Sequence, residues 1–245
     1  MRTIIRTLVA SMALAACLGP WASVRAQHAG DIDLELPVAN GPIMTAGGDY
    51  SGTYAGRVFE GIMPASAPLE TDAPGFDSLN GTFPAGAQIR FDFVKQLLYW
   101  NGTALTTPAS SLTASYGSSK TATIGGGDTT GLPGFVIAPA NAQGSFHTHM
   151  FFSLPADAAA GLYGAVLTLG PGPGATGFTT SDPFLVAFSN GSFADPAAGL
   201  DAMVEVAFAP VPEPSTWVLG GIGLATAAWR AIRRKRRLAG DRATR

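Results

Sequence analysis

The residues in this chain best suited to chemistry are its three histidines, His28, His147 and His149. Two of them share the stretch Gly144-Ser145-Phe146-His147-Thr148-His149-Met150-Phe151-Phe152. Its apolar, β-favouring character predicts a strand, which puts residues two apart on one face, roughly 6.5–7 Å apart along the chain. Two imidazoles so placed can converge on one metal ion, and zinc commonly takes such nitrogen ligands. Two protonated rings on one face would repel, whereas a metal satisfies both. His28 is the expected third ligand if the first strand pairs near this one, with Asp31, Glu60, Asp77 or a water completing the coordination. The competing expectation is a solvent-facing histidine pair on a sheet, with His28 close to a frayed end.

Other chemistries find less support. Cys17 is the only cysteine, so the chain can form no internal disulfide, no cysteine zinc site and no cysteine nucleophile beyond that position. No Gly-x-Ser-x-Gly elbow occurs. Gly172-Pro173-Gly174-Ala175-Thr176-Gly177 has glycine spacing like that of a dinucleotide loop. Phe178-Thr179-Thr180-Ser181-Asp182-Pro183 follows it, however, and cannot open the required helix. A hairpin loop is expected there. Paired carboxylates for glycoside hydrolysis could come from any of the many acids. Tyr99, Trp100, Phe91 and Phe93 are expected in the core rather than stacked on sugars.

The element that must position the histidines is a sheet. Short apolar segments alternate with Gly- and Pro-rich turns, and long helical periods are missing, which predicts a single all-β sandwich. Expected strands are 31–36, 56–60, 88–94, 97–100, 121–124, 135–138, 145–154, 162–169, 184–188 and 202–208. Alternation at Ile89, Phe91 and Phe93, and at Val204, Val206 and Phe208, marks two core-facing sets. Asn80-Gly81, Asn101-Gly102 and Asn190-Gly191 are turn signals, since both residue types accept positive φ. Residues 60–87 read as a long surface loop, and 125–128 and 170–177 as shorter ones.

Both ends of the chain read as sorting devices and separate four segments: 1–26, 27–210, 211–238 and 239–245. At the first end, Arg2 and Arg6 precede an apolar run from Thr7 to Leu18, broken by Gly19-Pro20. That is the form of a secretory signal, with signal peptidase cutting after Ala26. Leu14-Ala15-Ala16-Cys17 has the form of a lipobox and gives the rival processing site.

At the other end, Pro212, Glu213 and Pro214 form an extended triplet that stops any preceding element. An uncharged run from Ser215 to Trp229 follows, carrying Trp217, Val218, Leu219, Ile222, Leu224 and Trp229. As a helix it spans about 22 Å against a bilayer core of roughly 30 Å, a deficit that snorkelling arginines and local thinning can cover. Arg230, Arg233, Arg234, Lys235, Arg236 and Arg237 then hold that end in the cytoplasm. Everything before Pro212 is thereby placed outside the inner membrane. Between 27 and 211 only Arg57, Arg90, Lys95 and Lys120 face fifteen acids, a net charge of −11 that the basic ends conceal. Such a domain lacks the basic footprint of nucleic-acid binding and permits divalent cations.

The order of triplet, apolar run and basic cluster over 211–238 resembles the PEP-CTERM sorting signal of Gram-negative bacteria. The resemblance implies an exosortase as partner, cleavage near the triplet, and passage from the inner membrane to the cell surface or extracellular polysaccharide. His28-Ala29-Gly30-Asp31-Ile32, Trp100-Asn101-Gly102, and Gly144 to Phe152 running into Gly161-Leu162-Tyr163 resemble surface-anchored actinobacterial domains that end in a His-x-His strand. They are similar also to zinc-regulated PEP-CTERM proteins. Met150-Phe151 stands where those domains have Asn-Trp, and the first element has an extra residue. That likeness implies zinc handling at the cell surface through His147, His149 and His28. The expectation is therefore an exported, surface-anchored, non-enzymatic β-sandwich, within which zinc binding by His147 and His149 stands beside a matrix scaffold with no ligand. The alternative is a secreted hydrolase acting on matrix polysaccharide.

Overall fold

The structure, a computed structural model, describes residues 30–128 and 131–209. Its centre is a pair of long strands, β14 (Gly161–Pro171) and β15 (Phe184–Asn190), running antiparallel with Leu167 opposite Phe184 and Gly161 opposite Asn190. Both are apolar on both faces, the pattern of a sheet covered from two sides. β6 (Gln88–Phe93) pairs with β14 and carries β11 (Leu132–Pro139) on its other edge, while β3 (Val58–Ile62) runs parallel to β15. β7 (Leu98–Trp100) and β8 (Leu105–Thr106) form a hairpin on the far end of β14, closed by Asn101-Gly102. Together these make a seven-stranded sheet.

Residue parity separates its two faces. Tyr163, Ala165, Leu167, Leu169, Phe184, Val186 and Phe188 join one core cluster with Ile89, Phe91 and Phe93. Leu162, Val166, Leu185 and Ala187 point the other way into a second cluster.

Two four-stranded sheets cover the first face. One is ordered β12 (His147–Thr148), β5 (Phe76–Asp77), β1 (Ile32–Glu35), β2 (Met44–Ala46). The other is ordered β10 (Lys120–Ile124), β9 (Leu112–Tyr116), β13 (Phe151–Leu154), β4 (Leu69–Thr71). Phe76 of the first meets Phe184 edge-on at 6.4 Å, and Phe152 of the second lies 4.7 Å from Phe188. The all-β expectation holds, with two sheet layers packed on one aromatic core.

The expected strand 145–154 is two strands in two sheets. Phe146, Thr148, Met150, Phe152 and Leu154 are all buried, so inward parity runs unbroken through the gap at His149-Met150. The chain crosses from one small sheet to the next without turning its faces over. Residues 60–87 are likewise more than a loop, since they contain β4, β5 and the fully buried Phe76. Strands of three and two residues are too short to display a period.

The other face of the large sheet is covered by a helix, where sequence alternation had suggested a strand over 202–208. α1 spans Pro196–Phe208. The Asp195 carboxylate accepts from the Ala198 amide, and Pro196 occupies the first turn, where its missing N–H costs nothing. Leu200, Met203, Val204 and Ala207 are buried at spacings of three and four, while Val206 is 40% exposed. Val204 and Phe208 lie four apart on one side of the helix and Val206 lies off it, and the capping signal at Asp195-Pro196 decides the matter. Gly199 lets α1 come down onto Trp100, for a Cβ there would sit 2.6 Å from the indole.

Candidate metal centre

The histidines are positioned by pairing across β12, β5 and β1. His147 stands opposite Asp77, and Asp77 opposite Asp33, in one row across three strands. Thr148, Phe76 and Ile32 form the next row and point into the core. One residue further the order continues as His149, Gly75 and Asp31. The Ile32 amide donates to the Gly75 carbonyl at 2.9 Å, and the Gly75 amide donates to Asp31 Oδ1 at 2.9 Å. Alternation therefore places Asp31, Asp33, Asp77, His147 and His149 on the outer face of this small sheet.

Gly75 is what lets the second row converge. A Cβ at that position would stand 2.5 Å from His149 Cε1 and 2.6 Å from Nδ1. The His149 ring thus lies across the sheet through space that any other side chain would fill. Its Nε2 comes within 3.8 Å of Asp31 Oδ2, and its ring centroid lies 5.2 Å from that of His147. One ligand atom each from Asp31, His147 and His149 lie within 4.8 Å of one another. A zinc ion with bonds of about 2.0–2.1 Å needs donors about 3.3 Å apart, so closure asks for movements of about 1.5 Å at most. The group can hold a metal ion.

The hydrogen bonding points the same way. His149 Nδ1 lies 2.9 Å from the Asp72 carbonyl oxygen, which can only accept. Nδ1 therefore carries a proton and donates to it. His149 Nε2 faces Asp31 Oδ2, which is buried and has no hydrogen-bond partner among the described residues. The Asp31 side chain is only 5% exposed, and leaving one carboxylate oxygen unmatched there is costly. A metal ion between Oδ2 and Nε2 would match that oxygen, as would a proton on Nε2. An imidazole whose other nitrogen donates to a backbone carbonyl is also the usual arrangement of a metal-bound histidine. On the solvent side, Asp77 Oδ1 lies 3.5 Å from His147 Nδ1, and His147 is 48% exposed. The cluster is thus closed toward Asp31 and open toward His147.

Of the ligands expected from sequence, His147 and His149 are brought together, and Asp31 is the carboxylate that joins them. Asp77 adjoins His147. Glu60 lies on β3 opposite Ala187, in the large sheet, and takes no part. His28 lies outside the described residues. Gly75 and the Asp72 carbonyl were missed, because a close approach and a backbone acceptor leave no mark in residue types. Phe91 and Phe93 are buried in the core as expected, whereas Tyr99, tilted against Tyr163 with ring centroids 4.7 Å apart, and Trp100 are only partly buried at its margin. Among the described residues, no helix is long and apolar enough to cross a membrane. The triplet Pro212–Pro214, the run 215–229, the basic cluster 230–237, Cys17 and the 1–26 segment all lie outside the described residues.

No curated protein and no solved structure matches the chain. Residues 210–235 match the family model of the PEP-CTERM protein-sorting motif, so this chain carries the C-terminal signal of an exported protein whose processing partner is an exosortase.

Proposed function

We propose that this is a non-enzymatic zinc-binding protein, exported through an N-terminal signal peptide, held in the inner membrane by its 215–229 segment, and transferred by an exosortase to the cell surface or its exopolysaccharide. The sorting half of this reading rests on the motif at 210–235. The zinc half rests on one observation: the buried Oδ2 of Asp31, without a hydrogen-bond partner, stands 3.8 Å from His149 Nε2 in a group that His147 completes. Two imidazoles and one carboxylate form a donor set that suits zinc better than calcium or magnesium, which prefer oxygen throughout. Both described histidines belong to this one cluster, leaving neither as a base for a distant serine.

The test is metal analysis of the full-length protein purified in detergent without chelator. About one zinc per chain is expected, with loss of at least tenfold in zinc affinity for His149→Ala and for Asp31→Ala. Equal zinc content and affinity in the wild type and both variants would refute the site. A calcium or magnesium preference would refute zinc alone.

A further inference from the structure

The sorting segment leaves the domain at an anchored point. α1 ends at Phe208, and the motif match begins two residues later, at Pro210. The Phe208 ring stacks on Tyr54 with centroids 4.4 Å apart and planes at 24°. The Arg57 guanidinium lies over the Phe208 ring at 4.6 Å. It is itself held by donating from Nε and Nη2 to the Pro183 carbonyl, at 2.8 and 2.6 Å. Lys95 Nζ donates to the Val206 carbonyl at 2.6 Å, in the last turn of α1, where a cation complements the helix dipole. Only four cations occur between residues 27 and 211, and two of them are at this one helix end. Arginine over an aromatic ring adds a further attraction to the stack.

Chain length turns this anchor into a constraint on processing. Pro212 is four residues past Phe208, so it cannot lie farther than about 14 Å from it. An enzyme acting at the triplet finds only Ala209, Pro210 and Val211 upstream before the anchored helix. The apolar run begins immediately downstream, at Ser215.

We propose that the folded domain, fixed at the Tyr54–Phe208–Arg57 stack, stands against the membrane-bound processing enzyme and slows cleavage at the triplet. The inference rests on the reading of this protein as an exosortase substrate. Any enzyme that grips more than three residues upstream has to pull Phe208 from its seat, and slack inserted before the motif removes that requirement.

The experiment is a pulse-chase of the full chain in a cell carrying the processing enzyme, following conversion of the membrane form to the cleaved form. Ten Gly/Ser residues inserted between Ala209 and Pro210 leave the domain, the stack and the 210–235 motif intact. That insertion is expected to raise the conversion rate at least threefold, and Phe208→Ala at least twofold. An insertion variant converted at the wild-type rate or more slowly would overturn the proposal. Pro212→Ala combined with Glu213→Ala separates the two readings. Conversion of that double variant at the wild-type rate would overturn the sorting assignment itself, whereas its loss together with an unresponsive insertion would overturn only the anchor.

Discussion

Asp77 and Gly75 serve His147 and His149 from the strand between them and the N-terminal strand, and each makes a separate prediction. The Asp77 carboxylate, 3.5 Å from His147 Nδ1, is placed to orient that ring by holding its N–H. Asp77→Asn is expected to weaken zinc binding about 10–100-fold, the usual effect of removing such a support, while Glu60→Gln leaves it unchanged. Isothermal titration of the two variants checks this. Gly75→Ala acts by steric displacement, since its new methyl group occupies the space of the His149 ring. It is expected to cost more zinc affinity than Asp77→Asn. A Gly75→Ala variant with wild-type affinity would show that the ring reaches Asp31 by another route.

Among the secondary elements, α1 and the split strand decide most. If 196–208 is a helix, its two valines behave differently although they are two apart. Val204 is buried and Val206 is 40% exposed. Val204→Asp buries an unpaired charge and is expected to cost at least about 2 kcal/mol of unfolding free energy, against less than about 0.5 kcal/mol for Val206→Asp. A strand would have put both on one face with equal penalties, so chemical denaturation of the two variants distinguishes the structures. Asp195→Ala removes the cap and is expected to cost about 1 kcal/mol.

These elements also show what could be read in advance. The alternation at Ile89, Phe91 and Phe93 identified a true strand, because β6 buries one face fully and leaves the other partly open, which imposes period two. The same alternation at Val204, Val206 and Phe208 misled, since three residues cannot distinguish a period of two from one turn of 3.6. His147 and His149 were legible as a pair because parity alone puts them on one face. Asp31 could be named only as one of several carboxylates. Its partnership with His149 depends on β1 and β12 both pairing with the two-residue strand β5, a topology set by long-range packing.

For the whole molecule, a metal held by this group would join chain positions far apart, Asp31 on the N-terminal side and His147 and His149 more than a hundred residues later. Binding to the folded state alone therefore stabilises it by mass action. At a free zinc concentration about a hundred times the dissociation constant, the gain is expected to be about 2.7 kcal/mol. Thermal unfolding of the full-length protein should show a higher midpoint with zinc and its reversal on adding EDTA. His149→Ala should unfold at the same temperature with or without the metal.

The histidine-bearing sheet and α1 occupy opposite outer layers, with the large sheet between them. If the chain is held at lipid through residues 215–229, as proposed, the sorting segment follows directly on α1 and the helix side would be the near side. The donors then look outward across two sheet thicknesses, at least about 20 Å of protein. On the proposed reading, loading with an ion would then be independent of detachment, for the precursor and the released product would offer the same open mouth to the surrounding medium.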